Sequence, residues 1–251
     1  MDLDERDRVA ERFGVAPEQV ERDHLISHLL GYLSEQFGDR VHFIGGTALA
    51  RTYLPNGRLS EDIDLVAIGP RRAVAKDLDD GLPRSVARTH GRLTLEPLFD
   101  SATDTHPVIV RAAEGIAVKI QLLSSRDRVV WPAKRLPIEQ RYSDAPVAEL
   151  IVPTLAAFSA SKTVTWADRR APRDLWDLWA LSEIGAIEEK ALRLFQKFGP
   201  TNRPPGDYLF ENPPSDAAWQ TQLGGQTRLT ITAAQALATV RDAWWRVVKN
   251  G

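Results

Sequence analysis

Cysteine is absent from all 251 residues, and that single omission excludes disulfides, thiolate nucleophiles and cysteine-ligated zinc together. Any metal must be held by oxygen or imidazole. Long apolar runs are missing too. No window approaches the ~20 uninterrupted apolar residues that span a bilayer, and the opening MDLDERDRVAERFG is acidic where a secretion signal would be basic and then apolar. We therefore expect a cytoplasmic protein with no membrane partner. A P-loop, a Rossmann fingerprint and an EF-hand loop are equally lacking. The five histidines lie near no nucleophile motif. His24 and His28 are four apart on an expected helix, but no glutamate follows in zincin fashion, and they read as a helix-surface or packing pair.

What is present is an ordinary globular composition, 43% hydrophobic and 26% charged, long enough for one large domain or two small ones. The net charge of -2 hides an uneven distribution. Residues 1–25 carry eight acids against four arginines, whereas Lys162, Arg169, Arg170 and Arg173 face only Asp168 over residues 162–173. The second cluster is either an anion site or a solvated helix face.

Apolar spacing at Val20, Leu25, Ile26, Leu29, Leu30 and Leu33 predicts a helix over 17–37. Short strands are expected at 41–44, 62–68, 92–99, 106–112 and 115–123, with a two-turn helix at 47–54 between the first two. After Pro153 the periods are helical, interrupted by a stretch with five prolines between Pro200 and Pro214. Strands first and helices afterwards point to an α+β domain over 1–150 and a helical domain over 151–251.

The segment HFIGGTALARTYLPNGRLSEDIDLVAIG, residues 42–69, concentrates the chemistry. Side chains alternate along a strand, so Asp62 and Asp64 share one face and Ile63 and Leu65 the other. Two carboxylates this close repel, and burying them without a counter-charge is costly. A divalent cation removes the conflict, and magnesium suits a few carboxylates plus water and substrate phosphates. The plainer reading is a pair of strand-end acids matched by an arginine such as Arg58. Gly45 and Gly46 follow a strand and open a helix at Thr47, where bare backbone allows close approach and amides attract phosphate oxygens.

GGTALARTYL followed by RLSEDIDLV resembles the opening motif of the AbiEii-type nucleotidyltransferase toxins, and SASKTVTWADRRAPRDLWDLWAL (159–181) is similar to that family's second block. The resemblance implies a nucleotidyltransferase-like mixed sheet of the polymerase β type with helices, and a helical C-terminal domain that completes the active-site cleft. It implies that Gly45, Gly46 and Thr47 hold a nucleoside triphosphate, with Ser60, Arg58, Arg173 and Asp174 as further nucleotide-binding candidates. Asp62 and Asp64 would hold magnesium, or manganese in its place, and help deprotonate the attacking hydroxyl. Lys162 would neutralise triphosphate charge, and Asp177 would be the functional acid of the second block. Trp166, Arg169 and Arg170 would stack on a base or touch a nucleic-acid backbone, although a tryptophan at this spacing is more often core. Ser60, on the same face as Asp62, would be a place where modification blocks the site.

The implied activity is transfer of nucleotides from an NTP to an RNA acceptor, the tRNA 3′ end foremost, arresting translation, with a cognate antitoxin protein as partner. Two alternatives stay open: a protein hydroxyl or small molecule as acceptor, and a catalytically weak nucleotide- or RNA-binding module. The second is raised by Gln121, which stands where many nucleotidyltransferases place a third carboxylate.

Overall fold

Seven strands form one mixed sheet: β1 (Val41–Ile44), β2 (Asp62–Ala67), β3 (Thr94–Glu96), β4 (Val108–Arg111), β5 (Ala117–Ser124), β6 (Ala133–Ile138) and β7 (Ala148–Pro153), in the spatial order β3-β4-β5-β2-β1-β7-β6. The structure is a computed structural model that describes residues 1–126 and 128–250, and the chain divides into two units, Met1–Pro153 and Thr154–Gly251. The first unit holds the sheet with helices α1 (Leu3–Phe13), α2 (Pro17–Phe37), α3 (Gly45–Ala50), α4 (Arg71–Ser85) and α5 (Ala87–His90). The second holds α6 (Leu155–Arg169), α7 (Pro172–Glu183), α8 (Glu189–Phe198), α9 (Asp216–Leu223) and α10 (Ala233–Asn250), with a 3-10 turn at Asp207–Phe210. The α+β architecture is the expected one. No described helix is long and apolar enough to cross a membrane.

Strand β2 lies mid-sheet, antiparallel to β1 and parallel to β5. Its pattern follows the alternation read from DIDLVA: Ile63, Leu65 and Ala67 are fully buried, while Asp62, Asp64 and Val66 on the other face are half-buried. The edges are β3, only three residues long, and β6, which carries Lys134, Arg135 and Pro137. Shortness, charge and a missing donor are features that discourage pairing with another chain.

Helix α2 packs on β7 and β5 and is buried nearly all round. Val20, Leu25, Ile26, Leu29, Leu30 and Leu33 have no exposed surface, each contributing about 1.5–3 kcal/mol of burial. Its polar residues are buried as well. Asp23 accepts from Arg51 Nη2 at 2.8 Å, from the Tyr142 hydroxyl at 2.9 Å and from Arg141 Nη1 at 3.3 Å. Arg51 is itself 1% exposed, and burial, reinforced by the neighbouring Arg141 charge, lowers its pKa to about 10. One carboxylate thus holds two guanidiniums and a phenol inside the first unit.

Removing it leaves those cations uncompensated. We expect Asp23→Ala to cost about 3–5 kcal/mol, read as a lower midpoint in urea unfolding.

Candidate active site

The turn from β1 into α3 sets the site. Ile44 pairs with Asp64 across the antiparallel ladder, so the chain enters Gly45 beside the Asp64 carboxylate. Gly45 has φ +79°, a region that favours glycine, and a Cβ built there would collide with Asp64 Oδ2. At Gly46 a Cβ would lie 2.6 Å from Arg58 Nη2 and 3.1 Å from Ser60 Oγ. The glycine pair is therefore a fit constraint: the backbone runs bare against Asp64, Arg58 and Ser60 because side chains there would evict them. Arg58 is 3% exposed and Ser60 is 8% exposed. Burial of Ser60 makes its hydroxyl part of the wall of the turn rather than an open surface group.

Thr47 is buried, and its hydroxyl donates to the Asp62 carbonyl oxygen. The expected helix start at Thr47 is corrected. The helix begins at Gly45, and Thr47 ties it to the start of β2.

On the other side of β2, Lys119 stands beside Asp62 and Gln121 beside Asp64 in the parallel register with β5. Asp62, Asp64, Lys119 and Gln121 line a cavity of about 90 Å³ together with Pro107. That volume suits a cation with a few waters; a nucleotide would have to lie outside it. Gln121 does occupy the neighbouring-strand position, and its amide nitrogen donates to the Asp104 carbonyl at 2.7 Å. Lys119 and Pro107 were not singled out as site residues by sequence reasoning. The parallel pairing that puts Lys119 against Asp62 is a long-range fact with no local signal.

The second block folds within the helical unit. Lys162 on α6 is 7% exposed, with its Nζ 2.6 Å from Asp177 Oδ2 and 3.2 Å from Asp174 Oδ1 on α7. Arg169 Nε and Nη2 add donors to Asp174 at 2.5 and 2.9 Å. Two cations and two fully or nearly buried carboxylates thus form one network, in which Lys162 is matched by both acids. Burial pushes the Asp174 carboxyl up, but Lys162 and Arg169 outweigh it and hold the group at about 2. Asp174 is more than a helix-start acid, because it receives two cations. Arg173 is half-buried at the start of α7.

One expectation for this block is corrected. Trp166 is fully buried, its indole N–H donating to the Leu209 carbonyl at 2.8 Å, so it is core and not a stacking platform. Arg170, with φ 50°, ends α6, donates to the carbonyls of Leu209 and Tyr208, and lies over the Trp166 ring.

Residues 29–245 match the family described as the nucleotidyl transferase AbiEii toxin of type IV toxin–antitoxin systems. Among solved structures, the MenT4 nucleotidyltransferase toxin of Mycobacterium tuberculosis is similar at 26% identity with a TM-score of 0.71, covering 97% of this chain and 89% of that one. An antigenic nucleotidyltransferase-like protein of Paracoccidioides brasiliensis is 14% identical with a TM-score of 0.40, over 65% of this chain and 77% of that one. A search of the curated proteins found no match.

Two outcomes follow from this geometry. Gly45→Ala should cost about 1–3 kcal/mol in urea unfolding, since it adds both φ strain and a clash with Asp64. For Asp174, the folded pKa lies below the ordinary 3.8, so its stabilisation is complete above 3.8 and is lost as pH falls toward 2. The unfolding free-energy gap between the unsubstituted chain and Asp174→Asn should therefore narrow by roughly 2 kcal/mol on acidification across that window.

Proposed function

The chain belongs to the AbiEii nucleotidyltransferase toxin family, and from that premise we propose that it moves a nucleotide from an NTP onto a hydroxyl of RNA, the 3′ end of tRNA foremost, and so arrests translation. In that reaction the acceptor oxygen attacks the α-phosphorus, the bond to the bridging oxygen of the β-phosphate breaks, and pyrophosphate leaves. The observation that carries the reading is the pair Asp62 and Asp64, on one face of β2, lining a single cavity beside a backbone stripped of side chains at Gly45 and Gly46.

The donor set fits a hard divalent cation: two carboxylates, a glutamine in the adjoining register, and room for water. Magnesium, or manganese in its place, would be held by Asp62 and Asp64, and when bound it supplies positive charge to the phosphoryl oxygens and the departing pyrophosphate. The residues do the rest. Asp62 or Asp64 accepts the proton of the attacking hydroxyl. Gly45 and Gly46 let the triphosphate approach the main chain, and Arg58, packed against Gly46, orients it. Lys119, beside Asp62 in the register with β5 and lining the same cavity, balances charge that accumulates on the leaving group. Lys162, held by Asp174 and Asp177, serves the triphosphate's charge in the same reaction, with Arg173 beside them on α7. A cognate antitoxin completes the system, as the family implies.

The test is incubation of the purified chain with total RNA and each labelled NTP in magnesium buffer. Label should appear in small RNA with at least one NTP. Asp62→Ala and Asp64→Ala should each reduce it by at least ~1000-fold, and Lys162→Ala by a smaller factor. Label in protein instead would move the acceptor to a protein hydroxyl, and no label with any NTP would defeat the proposal.

A further inference from the structure

His24, His28 and His90 are all buried, and one ring nitrogen from each lies within 4.8 Å of the other two. The first two come from consecutive turns of α2, the third from the end of α5, 62 residues further along the sequence than His28. Sequence reasoning treated His24 and His28 as a surface or packing pair; burial removes the surface half of that reading. Asp144 adds a carboxylate. Its Oδ1 is 2.9 Å from His24 Nε2 and 3.7 Å from His28 Nε2, while its Oδ2 accepts from the Met1 amino group at 2.8 Å.

Hydrogen bonding alone serves this cluster poorly. His24 Nε2 lies 3.2 Å from His28 Nε2 as well as 2.9 Å from Asp144 Oδ1, and His24 Nδ1 lies 3.0 Å from His90 Nε2. A neutral imidazole has one N–H and one lone pair. If His24 Nε2–H donates to Asp144, His28 Nε2 must either share that proton or turn its own N–H against it. His90 Nε2 must then donate to His24, leaving His90 Nδ1 to accept from the Thr89 hydroxyl at 3.0 Å, although that hydroxyl also reaches the Val86 carbonyl at 3.2 Å. Two imidazoles and a carboxylate are thus crowded around His24, with ring nitrogens at 3.0 and 3.2 Å and a carboxylate oxygen at 2.9 Å.

We propose that His24, His28, His90 and Asp144 form a zinc site. Four ligands at about 2.0–2.1 Å from a tetrahedral zinc are about 3.3 Å from each other. The observed spacings of 2.9, 3.2 and 3.7 Å among Asp144 Oδ1, His24 Nε2 and His28 Nε2 bracket that edge. His90, at the end of a four-residue helix, has its Nε2 3.0 Å from His24 Nδ1 and a ring nitrogen within 4.8 Å of the other two histidines, so a turn of these rings brings it to the fourth vertex. Imidazole nitrogens with one carboxylate oxygen suit zinc better than magnesium, which prefers oxygen alone. The cluster is reached from two sides, through a cavity of about 240 Å³ lined by His24 and His90 and one of about 750 Å³ lined by His28 and Asp144. Its role is a clasp: one ion joins α2, α5 and the segment between β6 and β7, which the sheet does not join directly.

The histidine cluster and the Asp62–Asp64 cavity share no residue, so metal binding at one is separable from nucleotide chemistry at the other. The full chain, stripped with a chelator, is titrated with Co²⁺ and then Zn²⁺, alongside Asp62→Asn/Asp64→Asn and His28→Gln/His90→Gln. One equivalent of Co²⁺ should give the intense visible absorption of a tetrahedral ion and be displaced by Zn²⁺. The same signal should persist in the aspartate variant and weaken at least ~100-fold in affinity in the histidine variant. Zn²⁺ at ~100-fold excess over its Kd should raise the Tm of the unsubstituted chain by about 5 °C or more. Loss of the signal in the aspartate variant, its survival in the histidine variant, or only weak octahedral absorption overturns the site. Should the histidine variant not fold, ring NMR of the unsubstituted chain decides: Zn²⁺ must shift three of the five histidines, and unmoved signals refute the clasp.

Discussion

The period of a β-strand is the constraint on which the first unit depends. It forces Asp62 and Asp64 onto one face of β2 and gives the opposite face to Ile63 and Leu65, which are buried. The strand cannot slip by one residue without burying carboxylates and exposing the core, so the charged pair and the hydrophobic core fix each other's register. Everything at the site is set from that register. Gly45 must lack a side chain because Asp64 occupies the space, Thr47 anchors its helix on the Asp62 carbonyl, and Gln121 and Lys119 are brought in by the parallel ladder.

Charge is handled differently in the two other polar clusters. Asp23 is buried beneath Arg51, Arg141 and Tyr142, and Asp174 beneath Lys162 and Arg169. In each, a carboxylate in low dielectric is matched by more than one cationic donor, an arrangement that is expensive to break but adds little net stability over an apolar core. Such clusters specify geometry. The acidic N-terminal stretch and the basic stretch after residue 162 look like unbalanced patches along the chain. Folding pairs Asp23 with arginines from elsewhere in its unit, and pairs Lys162 and Arg169 with aspartates one helix away.

Local periodicity made β1, β2, β5, α2 and the helices after Pro153 legible, because each carries its own alternation or apolar stripe. The expected helix at 47–54 starts two residues earlier, since Gly45 and Gly46 themselves turn into it. Helix α4 escaped notice: Val74, Leu78 and Leu82 have helical spacing, but Gly81 and Pro83 look like breakers and sit harmlessly in its last turns. Strands β6 and β7 pair with each other across a loop, and their signal is blurred by Pro137, Lys134 and Arg135 at an edge. At the site, Asp62, Asp64 and the glycines were readable from spacing within 20 residues. The Lys119 contact and the His90 and Asp144 partners of His24 come from pairings more than 50 residues apart, which no local pattern encodes.

Charge balance in the cavity also bears on how many cations the proposed reaction needs. Asp62 and Asp64 bring two negative charges and Lys119 one positive, and the Arg58 guanidinium stands close by at Gly46. One dication would overcompensate, leaving surplus positive charge directed at the triphosphate, where transfer needs it. A third carboxylate at position 121 would absorb that surplus and invite a second ion. Glutamine there, tethered by its amide to the Asp104 carbonyl, provides neither the charge nor a mobile ligand. The departure at Gln121 is therefore consistent with transfer chemistry that depends on one firmly held ion, with protein cations such as Lys119 and Arg58 carrying part of the charge that a second metal would otherwise meet.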